Sequence, residues 1–270
     1  MSSPAEHDSY IGEYRTETEP FVSPTPTSVS RDKSAQRSAG RRSSVSASQG
    51  GDIRHGSEID LQGFDATFRD SNKAPLHSWF PYLEGYSPRF VERVRHAYLG
   101  EAKRIIEPFG GTGTTPIVLG QAGVESAFAE ANPAMVFIAE TKLAVLRLSA
   151  RERAELAQRM TSLADELPKL VADVGPDEAL RKTYVASFKT SIFFESKALE
   201  AVLRLRAVND AISEIDSTLG DCMAVAVLSS LIPSSLLKRA GDLRYRTPKE
   251  LALGLPHPVD EVRERLAAQA

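Results

Sequence analysis

The fold of this chain is decided by the stretch Arg104-Ile105-Ile106-Glu107-Pro108-Phe109-Gly110-Gly111-Thr112-Gly113-Thr114-Thr115-Pro116. A short apolar run enters a glycine-rich turn, and Thr115-Pro116 is typical of an N-cap followed by the first residue of a helix. A second apolar run, Ser126-Ala127-Phe128-Ala129, follows after Gly123. Strand, turn, helix and strand in this order, over residues 105–133, predict a parallel βαβ unit and an α/β fold.

The turn between the first strand and the helix is suited to binding a nucleoside. It places backbone N–H groups and the positive end of the helix at one point, and its glycines let a ligand approach the backbone closely. Glu130 ends the second strand, seventeen residues after Gly113. A carboxylate at that position can accept hydrogen bonds from both hydroxyls of a ribose. The spacing therefore predicts a site for a nucleoside-containing cofactor.

Individual side chains of the turn narrow the choice of cofactor. No lysine follows the glycines, as a phosphate-binding loop would require, and Pro116 replaces the third glycine of a dinucleotide-binding turn. Glu107 would repel a pyrophosphate but suits the cationic amino group of a methionine moiety, and Phe109 offers an apolar surface. These residues favour S-adenosylmethionine over NAD or ATP. A tight turn that binds no ligand is the alternative.

Four segments together resemble a known family. Glu107 to Thr115 resembles the Asp/Glu-Pro-Phe-x-Gly-x-Gly-Thr-Thr motif of amino-group DNA methyltransferases, which modify N6 of adenine or N4 of cytosine. Residues 129–133 resemble the acidic motif that follows in those enzymes. Residues 77–88 are similar to the segment that packs over the methionine end of the cofactor. Residues 231–246 look like a stretch of bacterial DNA methylases that precedes the catalytic motif.

The resemblance spans roughly residues 60–265 and implies two sets of site residues. The S-adenosylmethionine-binding set is Tyr82, Ser87, Glu107, Pro108, Phe109, Gly111, Gly113, Thr114 and Glu130. The DNA-binding set is Lys238, Arg239, Arg244 and Arg246. For two of these groups, a purely structural role is the alternative to ligand binding. The aromatic residues 79–86 could serve core packing alone, and the basic residues could surround a helix end capped by Gly241.

The catalytic motif of that family, Asp/Asn/Ser-Pro-Pro-Tyr/Phe, has no counterpart, because the 270 residues contain no Pro-Pro. The catalytic residues therefore stay unknown. We expect the cofactor-binding half of a split or truncated DNA methyltransferase, completed by a second polypeptide that carries Pro-Pro-Tyr and the remaining strands. The alternatives are an RNA amino-methyltransferase, a non-catalytic regulatory or relic subunit of a methylase, and a helical DNA-binding module on a vestigial α/β unit.

Composition along the chain predicts three regions. Residues 1–58 are rich in Ser, Thr, Pro and Gly and read as a disordered tail, with a basic stretch over 31–54. Residues 59–150 should form a partial Rossmann-like methyltransferase unit that binds the cofactor. Residues 151–270 should form a mostly helical insert that contacts DNA, with helices over 151–173, 195–214 and 219–238. Within it, only Lys182–Lys189 has any strand character.

Overall composition excludes several classes of site. A net charge of −3 gives no global sign of a nucleic-acid partner, so a basic surface would have to be local. The single cysteine, Cys222, lies in an apolar run and reads as a small buried hydrophobe. The five histidines lack metal-ligand spacing, so we expect no metal site. No apolar run is long enough to span a membrane, and we expect a cytoplasmic protein.

Overall fold

The computed structural model describes residues 67–82 and 84–270, so the predicted tail over 1–58 lies outside the described residues. The helices are α1 Pro88–Val94, α2 Thr114–Gln121, α3 Pro133–Arg147, α4 Ala150–Asp173, α5 Glu178–Phe188, α6 Ser196–Ile215, α7 Ser217–Ser230, α8 Pro248–Leu251 and α9 Pro258–Gln269. The strands are β1 Arg104–Glu107, β2 Glu125–Phe128, β3 Leu237–Ala240 and β4 Asp242–Tyr245. Two short 3₁₀ turns, Phe68–Lys73 and His77–Trp79, precede α1.

The predicted βαβ unit is confirmed. Strands β1 and β2 pair in parallel, with Ile105 opposite Ser126, and α2 connects them. The predicted N-cap of α2 was wrong: the cap is Gly113, at a φ of +89°, and the helix begins at Thr114. Thr115 does not cap because its hydroxyl donates to Glu107 instead. The α/β character expected from the sequence thus rests on a small two-stranded parallel sheet in a mostly helical chain.

Ser87-Pro88 and Asn132-Pro133 each have the sequence of an N-cap and a first helical residue and predict helices on either side of this unit, and both helices are present. Ser87 caps α1 by accepting from the N–H of Phe90 at 3.2 Å, and Asn132 caps α3 by accepting from the N–H of Ala134 at 3.0 Å. The three long helices predicted after residue 150 correspond to α4, α6 and α7. α7 ends earlier than predicted, at Ser230.

The structure decides two points that the sequence left open. Residues 182–189 do not form a strand, because Glu178–Phe188 is the helix α5, with Asp177 capping it. The basic segment 237–245 is not a helix end but the antiparallel hairpin β3–β4. Gly241, at a φ of +83°, is the turn of this hairpin and not a helix cap. The left-handed conformation that the sequence indicated is present, but it connects strands.

One hydrophobic core joins the α/β unit to the helical region. It contains Trp79 and residues of α3, α4, α6, α7 and α9, so the predicted boundary at residue 150 crosses a continuous packed interior. Cys222 is fully buried in this core, as predicted, and burial raises the pKa of its thiol to about 12. The thiol of Cys222 therefore stays protonated and does not act as a reactive thiolate.

The sheet is covered on one face and bare on the other. Along β1, Ile105 and Glu107 are partly buried, whereas Arg104 and Ile106 are exposed; Ile106 retains 74% of its accessible surface. β2 shows the same alternation. Parallel sheets normally carry cover on both faces. Within residues 67–82 and 84–270, nothing covers this second face.

Candidate functional site

A pocket of about 280 Å³ lies where the glycine turn, the segment before α1 and the end of β2 meet. Its lining residues are Tyr82, Glu84, Gly85, Tyr86, Phe109, Gly110, Gly111, Thr112, Thr114 and Glu130. The carboxyl ends of parallel strands are where α/β proteins generally bind ligands. The pocket therefore lies at the position that the βαβ topology favours.

The structure brings together some of the predicted cofactor residues and not others. Five of them line the pocket: Tyr82, Phe109, Gly111, Thr114 and Glu130. Four do not: Ser87, Glu107, Pro108 and Gly113. Ser87 is fully buried as the cap of α1, and Gly113 is buried as the cap of α2. Ser87 and Gly113 thus fix where α1 and α2 begin, next to the pocket.

The carboxylate of Glu130 ties the glycine turn to the start of α3. One oxygen accepts from the N–H of Gly111 at 2.9 Å, and the other accepts from the N–H of Asn132 at 2.8 Å. The hydrogen bonds from Asn132 and Gly111 lower the pKa of Glu130 below its usual value. A carboxylate has about four lone-pair positions. The Glu130 carboxylate therefore keeps acceptor capacity for a hydroxyl donor of a ligand.

Three backbone N–H groups of the glycine turn are directed inward. Phe109 N–H donates to Glu107 Oε1 at 2.9 Å, and Gly110 N–H donates to the carbonyl of Ala129 at 2.8 Å. Gly113 N–H donates to the carbonyl of Gly110 at 2.9 Å. A phosphate-binding loop instead points such groups at its ligand. This arrangement disfavours a phosphate or pyrophosphate ligand at the turn.

The glycines of the turn are required by close contacts. A Cβ at Gly110 would lie 2.5 Å from the ring of Phe128, and one at Gly111 would lie 3.3 Å from the ring of Tyr82. Gly111 also has a φ of +51°, which side chains disfavour. Phe109 projects outward beside the pocket and remains 82% exposed. The turn thus presents a small polar hollow with an aromatic surface at its mouth.

A hydrogen-bond network that the sequence did not reveal fixes Glu107 behind the pocket. Tyr86 Oη lies 3.1 Å from Glu107 Oε2 and 2.5 Å from Thr115 Oγ1, and Thr115 donates to the same carboxylate oxygen at 3.0 Å. Burial raises the pKa of Tyr86 to about 12, so its phenol stays protonated. The network joins the segment before α1, the end of β1 and the first turn of α2.

We expect Tyr86→Phe to lower the free energy of unfolding by about 1–2 kcal/mol, because it removes a donor from a partly buried carboxylate. Urea unfolding measures this effect. Tyr98→Phe is the matched control, since Tyr98 is 56% exposed and should be nearly neutral. Equal effects for the two substitutions would show that the Tyr86 hydroxyl does not support Glu107.

Lys142 of α3 is the buried cation beneath the glycine turn. Its side chain is 1% exposed, and its ammonium donates to the carbonyl of Thr112 at 3.2 Å. Burial lowers the pKa of Lys142 to about 7. Burial and the charge of Lys142 lower the pKa of His77 to about 4, and His77 Nε2 has no hydrogen-bond partner among the described residues. The charged form of Lys142 is therefore held beneath the turn at a cost in free energy.

The four predicted DNA-binding cations lie on or beside the β3–β4 hairpin and are all engaged within the chain. Lys238 and Arg244 both pair with Glu250, whose pKa the hydrogen bonds from Arg244 and Lys238 lower strongly. Arg246 donates to the carbonyls of Ser235 and Pro233. Arg239 pairs with Glu84 at 3.1 Å, which lines the pocket. Contact with phosphate would therefore have to compete with these interactions.

Comparisons of the chain with protein-family models, with curated proteins and with solved structures find no match. Among residues 67–82 and 84–270, no helix is both long and apolar enough to cross a membrane. The same residues contain no group of three or more His, Cys, Asp and Glu side chains arranged to hold a metal ion. The pocket and the sequence motifs are therefore the features of this chain that bear on its function.

Proposed function

We propose that the chain binds S-adenosylmethionine in this pocket and is the cofactor-binding half of an amino-group DNA methyltransferase. The observation that carries the proposal is the convergence of three separate segments on one pocket. They are the aromatic segment 82–86, the turn 109–114 and Glu130. Each of the three contains at least one residue to which the sequence resemblance gives a cofactor-binding role. Their meeting at the carboxyl ends of parallel strands supports a ligand of this class.

The pocket residues suit the parts of this cofactor. Glu130 would accept the two ribose hydroxyls with its remaining lone pairs. Glu107, held by Tyr86 and Thr115, would bring negative charge to the cationic methionine end. Phe109 would cover an apolar part of the nucleoside. The inward-directed N–H groups at the turn support a ligand without phosphate, as do the two carboxylates in the pocket wall.

The methyl-transfer step would need groups outside these 270 residues. The family resembled here holds the target amino group with a Pro-Pro-Tyr motif and stacks the aromatic ring on a flipped base. The bare sheet face around Ile106 is consistent with further strands and helices that come from a second polypeptide. The hairpin β3–β4 and the helical region would then contribute contacts to DNA.

A non-catalytic cofactor-binding subunit of a methylase is the second candidate. The absence of Pro-Pro from the sequence favours it. The two candidates share the cofactor site and differ in the partner. Methyl transfer to DNA after addition of a chain that supplies Pro-Pro-Tyr would favour the split enzyme. A change in the activity of an already complete methylase would favour the regulatory subunit.

Calorimetric titration with S-adenosylmethionine tests the site itself. The wild-type chain should bind, and Glu130→Ala and Gly111→Asp should each weaken binding by at least about tenfold. The first removes the ribose acceptor, and the second places a carboxylate against the Tyr82 ring at a positive φ. Gly175→Ala is the control, because Gly175 lies outside the pocket with open space around it.

Circular dichroism should accompany the titration, so that a folding defect in either variant is recognised. Loss of binding in both folded pocket variants, with Gly175→Ala unchanged, would support the proposed site. Equal affinity in all four proteins would place the ligand elsewhere. A folded wild-type chain that does not bind S-adenosylmethionine would contradict the proposed function.

A further inference from the structure

The pocket wall contains acidic residues but no cation. Glu84 and Glu130 both line it, and the other eight lining residues are uncharged at neutral pH. Glu107 lies immediately behind Tyr86 and adds a third carboxylate near the same end. The amino-acid end of S-adenosylmethionine is a zwitterion, with an ammonium and a carboxylate on one carbon. The acidic residues suit the ammonium, but the carboxylate would need a positive partner.

Arg239 contacts a lining residue of the pocket from outside the pocket. Its guanidinium pairs with Glu84 at 3.1 Å, across 155 residues of sequence. The charges of Glu84, Glu130 and Arg239 all act on the pKa of Tyr82, which burial raises most and which Arg239 alone lowers. These three charged groups therefore lie near enough to the Tyr82 phenol to act on it. Arg239 of strand β3 therefore lies beside the pocket, next to the lining residue Glu84.

Arginine is well suited to hold a ligand carboxylate in this position. Its planar guanidinium binds carboxylates through two parallel hydrogen bonds, which gives orientation as well as attraction. The pair with Glu84 is partly solvated, with side-chain exposures of 29% for Arg239 and 57% for Glu84. Such pairs contribute little to stability. An incoming carboxylate can therefore replace Glu84 on Arg239 at small cost.

We propose that Arg239 binds the amino-acid carboxylate of the cofactor and that Glu84 positions Arg239 until the cofactor enters. This inference rests on the proposed function and extends it, because it assigns to the hairpin a role in selecting a nucleoside with an amino-acid tail. Glu84, released from Arg239, then faces the ligand ammonium together with Glu107. The β3–β4 hairpin belongs to the cofactor site through this residue.

Two nucleosides that differ in the amino-acid tail test the role of Arg239 by calorimetry. S-adenosylhomocysteine carries the tail, and 5′-methylthioadenosine lacks it. The wild-type chain should bind the first more tightly than the second. Arg239→Gln should weaken the binding of S-adenosylhomocysteine about tenfold and leave the affinity for 5′-methylthioadenosine unchanged. Arg239→Lys should recover part of the loss, since it restores the charge but not the paired hydrogen bonds.

The matched control is Arg244→Gln, which removes a guanidinium from the other strand of the same hairpin and should change neither affinity. Glu84→Gln should keep or improve the affinity for S-adenosylhomocysteine, because it frees Arg239. If Arg239→Gln weakens the binding of both nucleosides equally, or of neither, Arg239 does not bind the carboxylate. The proposed function would still stand. If the folded wild-type chain binds neither nucleoside, the proposed function fails and the role of Arg239 fails with it.

Discussion

Lys142→Met is expected to raise the free energy of unfolding by about 3 kcal/mol at pH 6. Burial lowers the pKa of Lys142 from 10.5 to about 7, which corresponds to roughly 4–5 kcal/mol of penalty for the buried charge. Loss of its hydrogen bond to the Thr112 carbonyl offsets about 1–2 kcal/mol of the gain. Methionine has a similar length and no charge, so it should fill the same space.

The increase in the free energy of unfolding caused by Lys142→Met should depend on pH. Below pH 7 the lysine is protonated in both the folded and the unfolded chain, and the folded chain carries the full penalty. Between pH 7 and pH 10.5 the unfolded chain binds more protons than the folded one, so the stability of the wild type rises with pH. The advantage of Lys142→Met should therefore be largest below pH 7 and should shrink toward pH 10.5.

Urea unfolding at a series of pH values measures this profile. Lys169→Met is the control, since the ammonium of Lys169 lies exposed on α4 and its removal should not change the profile. The His77 resonances give a second readout. Because the charge of Lys142 helps to lower the pKa of His77, Lys142→Met should raise that pKa from about 4. A variant less stable than the wild type at pH 6 would show that the ammonium is needed to hold the turn.

The elements that the sequence predicted correctly are those set by local patterns. Ser87 and Asn132 were recognisable as caps, because each precedes a proline at the first helical position. The order of strand, turn, helix and strand over residues 105–133 predicted a parallel pair, because parallel strands need a crossover connection between them. These signals depend only on neighbouring residues, so they persist in the folded chain.

The interpretations that failed involve competition between local and distant partners. Thr115 has the residue type of an N-cap, but Glu107 and Tyr86 engage its hydroxyl, and Gly113 takes the cap position. The alternative of a helix end at residues 237–245 was wrong, and it arose because a left-handed glycine occurs both after helices and in hairpin turns. A local pattern cannot distinguish them, since the partner strand decides.

The contacts that shape the site could mostly not be predicted, because they join segments far apart in sequence. Tyr86 with Thr115 and Arg239 with Glu84 have no local signature. Lys142 is different, because the sequence around it contains a signal for its burial. It lies four residues after Ile138 and three before Val145, both buried on the core face of α3. A lysine on an apolar helical face indicates a buried cation, which then needs an acceptor.

Gly113→Ala is expected to destabilise the chain by about 3 kcal/mol and to abolish cofactor binding. A left-handed φ costs an alanine about 1 kcal/mol, and Gly113 has a φ of +89°. The new Cβ would also lie 3.0 Å from the Cβ of Ala139 and 3.2 Å from its Cα. Overpacking against the backbone of α3 costs about 1–3 kcal/mol more. The start of α2 would have to move away from α3, carrying Thr114 with it.

A matched control separates the two causes. Gly123 has a φ of +73° but no atom within 4 Å of the added Cβ, so Gly123→Ala should cost only the strain, about 1 kcal/mol. Urea unfolding should give the free energy of unfolding of both single variants and of the double variant that combines Gly113→Ala with Ala139→Gly. Removing the Cβ of Ala139 should recover about 1 kcal/mol beyond additivity, because the two residues are in contact. Equal costs at Gly113 and Gly123 would mean that strain alone fixes the glycine, and that the close packing of the turn on α3 does not set the pocket.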